Sequence, residues 1–408
     1  MKPITLALSL CLSVIIGAPA LSQEAAMGRS VELAATSGGF ERWKSGFRTR
    51  ALRRGIHPRI FDAAFAGVSI NERTLELDGR QAEFTKTVGE YVDHVVTKDR
   101  VALGKRKLRS LRRTLEEIER RYGVDGRVVL AIWGIETNFG GFLGGTSVIE
   151  ALATLAYDGR RRDWAERELI GALTILQSGD TRPESMEGSW AGAMGHTQFM
   201  PTSYLAYAVD FTGDGRRDIW AKDPSDGLAS TANYLRVHGW RKGQPWGVEV
   251  QLPPGFDYAT ANIRPGRPVS HWNARGVRGL DGKPIPNYGK AGIWAPAGAG
   301  GPAFAIFPNF FVIKRYNNAN TYAMAVGHLG DRIMGAGGFH ATWPKDGRAL
   351  TRAEKAQLQS LLTQRGFDTK GVDGKVGPNT IAAIRAYQRS KGLTPDGHPS
   401  LALLARLK

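Results

Sequence analysis

One acidic side chain lies in a stretch that otherwise carries no charge. The segment AIWGIETNFGG, residues 131–141, has its only carboxylate at Glu136, directly after the apolar residues 128–135. Burial disfavours the charged form of a carboxyl and moves its pKa toward the range useful to a general acid. Glu136 is therefore a candidate proton donor at neutral pH. The alternative is an ordinary solvated glutamate at the end of a helix.

A second chemical pattern is DFTGDGRRD, which begins at Asp210. Asp210, Thr212 and Asp214 stand at positions 1, 3 and 5 of the calcium-loop pattern, a glycine stands at position 6, and the carbonyl of Arg216 stands at position 7. Position 12 is Ala221, where the pattern expects a bidentate glutamate. Two interpretations stay open, a Ca²⁺ loop and an Asp/Gly-rich turn stabilised by hydrogen bonds to its own backbone.

Helical periodicity dominates from about residue 40 to residue 240. Leu111, Leu115, Ile118 and Tyr122 recur on one helical face, and Gly123 then stops the helix. Further helices are predicted at about 161–177, 203–209, 226–238 and 322–334.

The helix that carries Glu136 is predicted to start after Asp125, a plausible N-cap. Val129, Ile132, Trp133 and Glu136 then share one face by the i, i+3, i+4, i+7 rule. We expect that face to point into the core.

The residue pattern changes after residue 247. Short β-type runs separated by Gly and Pro predict a small β-rich insertion over about residues 247–303. A linker follows at 341–349, and a compact unit begins at residue 350. There Thr351 and Glu354 form a predicted capping box, and three short helices are expected through residue 408.

The N-terminus has the pattern of a secretory signal peptide. Lys2 precedes an apolar run over residues 4–17 and the small-residue stretch APALS, so removal of residues 1–22 is predicted. The run is too short for a membrane span, which needs about 20 apolar residues. Cys11, the only cysteine, is removed with it, so disulfides cannot stabilise the mature chain. We expect an exported, periplasmic protein without a stable membrane anchor.

The chain is strongly basic. Its formal net charge is +17, and removal of Lys2 lowers that charge by one. Such a charge indicates a negatively charged partner. Export argues against nucleic acid, whereas peptidoglycan glycan strands, with their lactyl and peptide carboxylates, match both the compartment and the sign.

Several long motifs occur in one order: IWGIETNFGG, GSWAGAMGHTQFMPTSYLAYAVDFTGDGRRDIW, STANYLRVHGW and NFFVIKRYNNANTYAMAVGHLGDRI. With these motifs the sequence resembles the lytic murein transglycosylase B family (glycoside hydrolase family 103) over about residues 38–340. The resemblance implies a mainly α (α+β) fold, with a lysozyme-like catalytic domain at 36–340 that contains the β-rich insertion. It also implies Glu136 as the single catalytic residue. The resemblance assigns these positions to the sugar-binding groove: Ser189, Gln198, Phe199, Tyr234, Tyr316, Asn317 and, in EYVDHVV, Tyr91.

The mechanism implied by the resemblance uses one carboxylate, although a glycosidase ordinarily needs two. Glu136 protonates the oxygen between MurNAc and GlcNAc while the MurNAc 2-acetamido group stabilises C1. Glu136 then accepts the proton of the C6 hydroxyl, which attacks C1 and closes a 1,6-anhydro ring.

The resemblance also bears on metals. Some members of the family close the calcium loop with a later aspartate, and KDPSDG offers Asp226, shifted by one residue. No cofactor is predicted to be required, and a structural Ca²⁺ is left open. His196, in GAMGHTQ, is interpreted as a loop or groove residue rather than a metal ligand.

The C-terminal unit, through GVDGKVGPNTIAAIRAYQRSKGL, resembles the peptidoglycan-binding type 1 domain, a three-helix fold that would tether the enzyme to its insoluble substrate. The favoured function is a lytic transglycosylase. The alternatives are a hydrolytic muramidase, opposed by the missing second carboxylate, and a non-catalytic wall-binding protein, opposed by Glu136. The sequence identifies no protein partner.

Overall fold

The computed structural model describes residues 37–79, 86–344 and 348–408, so the predicted signal peptide and Cys11 lie outside the described residues. Contacts within the chain form two units. Among the described residues, the first unit holds 37–79 and 102–238, and the second holds 86–101, 239–344 and 348–408. These units divide the chain differently from the domain boundaries predicted above, which stay a prediction.

The helices, in chain order, are α1 (Ser37–Arg53), α2 (Pro58–Ala64), α3 (Glu72–Gly79), α4 (Val88–Val95), α5 (Lys98–Ser110), α6 (Arg112–Tyr122), α7 (Gly126–Thr137), α8 (Val148–Asp158), α9 (Arg162–Ser178), α10 (Pro201–Tyr207), α11 (Ser225–Val237), α12 (Val269–Ala274), α13 (Pro308–Tyr316), α14 (Asn320–Ile333), α15 (Arg352–Gln364), α16 (Pro378–Ser390) and α17 (Leu401–Arg406). The strands are β1 (Thr146–Ser147), β2 (Glu187–Gly188), β3 (Gly247–Gln251), β4 (Arg267–Pro268), β5 (Arg278–Gly279), β6 (Lys290–Trp294) and β7 (Ala303–Ile306). None of the helices in the described ranges combines the length and apolar composition that crossing a bilayer requires.

Helix α7 lies in the core of the first unit and carries Glu136 near its end. Residues 128–135 are all buried, including the predicted inward residues Val129, Ile132 and Trp133. Because the helix is apolar around its whole circumference, it is enclosed by other elements rather than lying on the surface. It packs against α6 and α11.

Helix α6 fixes the start of α7. Gly123 ends α6 in the left-handed conformation, with φ at 66°, as predicted from the sequence. Asp125 stands at the N-cap of α7, as predicted, but its side chain makes no capping bond. Instead, the Glu119 carboxylate accepts the backbone N–H of Gly126 at 3.2 Å, so the preceding helix satisfies an amide at the start of α7.

The second unit contains an antiparallel sheet with the strand order β4-β6-β7-β3-β5. Strands β3 and β7 pair at its centre, with Gly247 opposite Ile306 and Val250 opposite Ala303. Every residue of β7 is buried. The sheet confirms the predicted β-rich part of the chain, and its last strand reaches Ile306.

Helix α4 packs against α14 within the second unit. Gly89 of α4 allows a close approach, because a Cβ at this position would lie 2.5 Å from Cγ of Trp343. The segment before α5 therefore joins residues that come much later in the chain.

The C-terminal module consists of α15, α16 and α17, which confirms the expected helical unit. Its core is formed by buried residues of all three helices and their flanks: Leu350, Leu358, Leu362, Ala383, Ile384, Tyr387, Leu403, Leu404 and Leu407. The predicted capping box is confirmed. The Thr351 hydroxyl accepts the N–H of Glu354 at 3.2 Å, and the Glu354 carboxylate accepts the N–H of Thr351 at 2.8 Å.

The module is hydrogen-bonded to the rest of the second unit. Arg385 of α16 donates to the carbonyl oxygen of Tyr258 at 2.7 Å. The Asp396 carboxylate accepts the backbone N–H of Ala299 at 2.8 Å. The predicted fold class, mainly α with a small β-rich part and a C-terminal helical module, is confirmed.

Candidate active site

The last turn of α7 places Glu136, which is half-buried, between two buried neighbours. The helix ends at Thr137, and the next three residues, Asn138, Phe139 and Gly140, have φ values of 52°, 61° and 79°. Asn adopts this conformation readily at a helix end, but Phe seldom does, so surrounding contacts must impose it on Phe139. A strained turn directly after a carboxylate is typical of a functional site.

The loop over residues 188–199 contains three of the predicted groove residues. It is folded on itself by β-bridges from Gly188 to Met194 and from Met194 to Phe199. The Ser189 hydroxyl oxygen accepts two backbone N–H groups of its own loop, at 3.3 and 3.1 Å. Its hydrogen is therefore the part of the hydroxyl that remains to bind a ligand.

Gln198 ties this loop to the segment that follows Glu136. Its backbone is left-handed, with φ at 56°. Its side-chain amide donates to the carbonyl oxygens of Leu143 and Gly195, both at 3.0 Å. Because both N–H groups are used, the amide offers its carbonyl oxygen as a hydrogen-bond acceptor.

Tyr234 of α11 is half-buried within an aromatic cluster. Its ring stacks on His238 with centroids 4.1 Å apart and meets Tyr207 edge to face at 4.8 Å. Phe199 is 2% exposed, and its ring centroid lies 5.9 Å from that of Tyr234. Phe199 therefore supports the Tyr234 ring and does not itself present a face to solvent.

These contacts connect Glu136, Ser189, Gln198 and Tyr234 through elements of the first unit. Three further predicted groove residues belong to the second unit. Tyr91 is half-buried on α4, and Tyr316 is the last residue of α13. Asn317 follows Tyr316.

The amide oxygen of Asn317 is buried and has no hydrogen-bond partner within the described part of the chain. An unsatisfied buried acceptor is costly, so this oxygen fits a site that is completed by a ligand donor.

The acidic loop (residues 210–221) and Asp226 bring together three of the predicted metal ligands. Oxygen atoms of Asp210, Asp214 and Asp226 all lie within 4.8 Å of one another. The Thr212 hydroxyl donates to Asp210 at 3.4 Å, and the backbone N–H of Arg216 donates to Asp214 at 2.9 Å. Because Ca²⁺ binds oxygen at about 2.3–2.6 Å, one ion can span oxygens that are about 5 Å apart.

Asp226 anchors this loop. Its carboxylate accepts the backbone N–H groups of Phe211, Thr212 and Asp218 at 2.9, 3.1 and 3.0 Å. Burial raises the pKa of Asp226, those three donors lower it, and the negative charge of Asp210 raises it again. The net direction is upward, because burial is the largest of these effects.

Two contacts near the site were not predicted from the sequence. The ammonium group of Lys107 lies 5.1 Å from the ring centroid of Trp133, and the Trp133 indole donates to His196 at 3.1 Å. Trp133 was predicted to face inward, but its partners come from α5 and from the 188–199 loop. The GAMGHTQ sequence held no signal for this pairing, because only the tertiary fold brings the two segments together.

Comparisons with known proteins match two parts of the chain. A family model described as a transglycosylase SLT domain matches residues 39–331, and one described as a putative peptidoglycan binding domain matches residues 351–407. The membrane-bound lytic murein transglycosylase B of Escherichia coli (strain K12) is 36% identical over 225 residues, which cover 52% of this chain and 58% of that protein. The chain thus spans less than two thirds of the length of this curated relative.

Similar solved structures cover more of this chain than the curated relative does. SltB3 from Pseudomonas aeruginosa, in complex with NAG-anhNAM-pentapeptide, is 48% identical with a TM-score of 0.85 and covers 90% of this chain and 99% of its own. The Escherichia coli lytic transglycosylase Slt35, in complex with calcium, is 31% identical with a TM-score of 0.62 and covers 71% of this chain and 92% of its own.

Both resemblances inferred from the sequence motifs are confirmed, as is the lysozyme-like fold class. The first model matches well over half of the chain, which therefore belongs to the transglycosylase SLT domain family.

Proposed function

We propose that this protein is a peptidoglycan lytic transglycosylase that cleaves the β-1,4 bond between MurNAc and GlcNAc and leaves 1,6-anhydro-MurNAc. The observation that carries the proposal is the position of Glu136 on the last turn of α7, next to segments 137–147 and 188–199, which contain no second Asp or Glu. A site with one carboxylate cannot use separate acid and base residues, so one residue must serve as both.

The mechanism assigns two proton transfers to Glu136. The protonated carboxyl donates its proton to the glycosidic oxygen, and the bond from that oxygen to C1 of MurNAc breaks. The carbonyl oxygen of the 2-acetamido group bonds to C1 and gives an oxazolinium. The carboxylate of Glu136 then accepts the proton of the C6 hydroxyl, whose oxygen attacks C1, and the bond to the acetamido oxygen breaks. Water is not consumed.

The groove residues have distinct roles in this proposal. The Ser189 hydroxyl hydrogen and the Gln198 carbonyl oxygen hold polar groups of the sugars, and the Tyr234 ring stacks on a sugar face. The orphaned amide oxygen of Asn317 accepts a hydrogen bond from an N-acetyl N–H. Tyr91 and Tyr316 are proposed as further groove residues, supported by the resemblance of their segments to the family.

We also propose that Asp210, Asp214 and Asp226 hold a structural Ca²⁺. The gathered carboxylates support this assignment, as does the net negative charge that they concentrate. The Thr212 hydroxyl and the Arg216 carbonyl are proposed as further ligands. The ion would supply local rigidity, and the proposed chemistry uses Glu136 alone.

Two further proposals rest on the sequence. Residues 1–22 direct export to the periplasm, and residues 350–408 bind the wall and raise the local concentration of glycan strands around the domain at 36–340. The positive charge of the chain suits an acidic polymer, and the proposed export favours peptidoglycan over nucleic acid.

Mass spectrometry of digested sacculi tests the reaction. Released muropeptides are expected to end in 1,6-anhydro-MurNAc, which is one water lighter than a reducing end and resists borohydride. The tethered C6 hydroxyl outcompetes water because its effective concentration is very high. Predominantly reducible MurNAc ends would establish the hydrolytic muramidase instead. If no wall preparation releases a soluble product, the non-catalytic wall-binding protein is the alternative that remains.

A further inference from the structure

His196 lies between the end of α7 and the far end of the acidic loop, and it is 6% exposed. The Trp133 indole N–H donates to its Nδ1 at 3.1 Å, and its Nε2 lies 2.8 Å from the carbonyl oxygen of Ala221. The backbone of His196 makes two more bonds. Its carbonyl accepts the Thr137 hydroxyl at 2.7 Å, and its N–H donates to the carbonyl of Ile219 at 2.9 Å.

These partners determine the protonation state of the imidazole. An indole N–H can only donate and a carbonyl can only accept, so Nδ1 is bare and Nε2 carries the hydrogen. The ring is therefore neutral. Burial lowers the pKa of His196, the bond to Ala221 opposes that change, and the positive charge of Lys107 lowers it again. A proton on Nδ1 would place two N–H groups against each other.

The end of α7 needs external support. Helix ends lack intrahelical partners for their last carbonyls, and Glu136 stands one residue from the end. Asn138 and Phe139, which follow the end of the helix, have a left-handed backbone that Phe disfavours. The imidazole packs directly on this turn, because a Cβ on Gly140 would lie 2.8 Å from its Cε1. One ring thus contacts the helix and the turn on either side of Glu136.

We propose that His196 is a positioning residue that holds the last turn of α7, and with it the Glu136 carboxyl, against the end of the acidic loop. This inference rests on the proposed role of Glu136. His196 itself exchanges no proton in the reaction. Its bond to Trp133 sets the helix end, and its bond to Ala221 anchors the ring.

Paired substitutions separate the two bonds. In His196→Asn the amide oxygen replaces Nδ1 as the acceptor for Trp133, but the shorter side chain no longer reaches Ala221. In His196→Gln the amide nitrogen reaches Ala221, but no acceptor faces Trp133. His196→Ala removes both bonds. The backbone bonds of His196 remain in all three variants, so only the ring is tested.

Two measurements are made on the full-length chain. The first is kcat and KM on a soluble glycan of alternating GlcNAc and MurNAc. The second is the indole N–H resonance of Trp133 in ¹⁵N-tryptophan-labelled protein, identified among the 10 tryptophans by its absence in Trp133→Phe.

His196→Ala and His196→Gln are expected to lower kcat by about 10- to 100-fold, since a misplacement of about 1 Å can cost that much, while KM changes less than about 2-fold. Their Trp133 resonance moves upfield as the indole bond is lost. His196→Asn recovers kcat to within about 3-fold of the wild type and keeps the resonance in place.

Equal kcat in His196→Ala and the wild type would overturn the proposal. Equal losses in His196→Asn and His196→Gln, in step with their melting temperatures, would also overturn it and reduce the ring to a packing role. If His196→Ala does not fold, the comparison of His196→Asn with His196→Gln tests the proposal. Glu136→Gln runs in the same assay. If Glu136→Gln is inactive while His196→Ala is fully active, the positioning role of His196 is rejected and the assignment of Glu136 stands. If Glu136→Gln retains turnover, both the assignment of Glu136 and the positioning role are rejected.

Discussion

Arg217 donates through Nε and Nη2 to the carboxylate of Asp180, at 3.3 and 2.6 Å. Burial acts to raise the pKa of Asp180, but the bonds from Arg217 and Ser178 outweigh it and leave the pKa below its ordinary value. The arginine, although part of the acidic loop, thus has its charge neutralised by Asp180. Its guanidinium is directed to Asp180 rather than to the carboxylates of Asp210, Asp214 and Asp226.

The acidic loop is therefore expected to respond to calcium. Added Ca²⁺ should raise the melting temperature and Mg²⁺ should not, because the loop is wide and Mg²⁺ demands a small octahedral site. At 100 times its Kd, a ligand that binds the folded state adds about 2.7 kcal/mol. Differential scanning calorimetry with and without each ion measures the shift.

Asp226→Asn should abolish that shift. Asp223→Asn is the matched control, because the Asp223 carboxylate accepts the hydroxyl of Ser225 at 2.6 Å and lies outside the cluster. A melt that is insensitive to millimolar calcium would establish the hydrogen-bonded turn as the function of this loop.

Glu136→Gln is expected to lower turnover by roughly 10²- to 10⁴-fold, because the amide keeps the volume of the side chain but cannot exchange a proton. The melting temperature should stay within about 2 °C of the wild type, a small change for a half-buried isostere. Release of soluble muropeptides from sacculi measures the loss. Glu166→Gln, which breaks a bond to Arg50 on α1, should remain active. More than about one per cent residual turnover in Glu136→Gln would reject the assignment.

Gly134→Ala should destabilise α7. A Cβ at this position would lie 2.5 Å from Cζ of Phe139, which is itself buried, so the turn after Glu136 must shift. Overpacking of this kind costs about 1–3 kcal/mol. Both kcat and the free energy of unfolding should fall. Gly38→Ala on α1 is the control, because the nearest atom lies 3.7 Å away on a flexible arginine and the expected change is within about 1 kcal/mol. Equal effects of the two substitutions would contradict this explanation.

The sequence predicted most of what depends on local pattern. The face of α6, its stop at Gly123, the enclosed α7 and the Thr351–Glu354 capping box all follow from periodicity and capping chemistry over fewer than twenty residues. The site was predicted as a set of residues by resemblance, without its internal contacts. Phe199 lies behind Tyr234, and His196 bonds to Trp133, because segments 35 and 63 residues apart pack together. Local periodicity carries no information about such pairings.

The buried histidine of α14 predicts an acid-sensitive second unit. His328 is 6% exposed and stacks on Phe339 with ring centroids 3.9 Å apart. Burial, followed by the charge of Arg332, lowers the pKa of His328 from 6.5 to about 4. Because the unfolded chain binds the proton first, this contribution is complete above pH 6.5 and is lost as the pH falls from 6.5 to about 4. The loss amounts to about 3 kcal/mol.

Denaturant unfolding at pH 7 and at pH 4 measures this loss. His328→Phe keeps an aromatic ring on Phe339 and removes the titration, so its stability should fall less over the same range. Parallel pH profiles for the wild type and the variant would show that His328 contributes nothing to acid sensitivity.

Deletion of residues 345–408 should weaken turnover on intact sacculi and leave turnover on short soluble glycans within about 2-fold, since tethering acts only on the insoluble substrate. The melting temperature should also fall, because the module bonds to Ala299 and Tyr258. Arg385→Ala is the matched variant. It removes the bond to Tyr258 but keeps the module, so binding to sacculi should persist. Equal loss on both substrates would place the module within the active site.

The pairing of α4 with α14 also sets the order of folding during synthesis. More than 200 residues separate Val95 from Asn320, so α4 leaves the ribosome long before its partner exists. At about 5–20 residues per second, that interval lasts roughly 10 to 45 seconds. During it the apolar face of α4, with Val92 and Val95, has no native surface to cover it. Residues 239–408 of the second unit are therefore synthesised after the whole of the first unit.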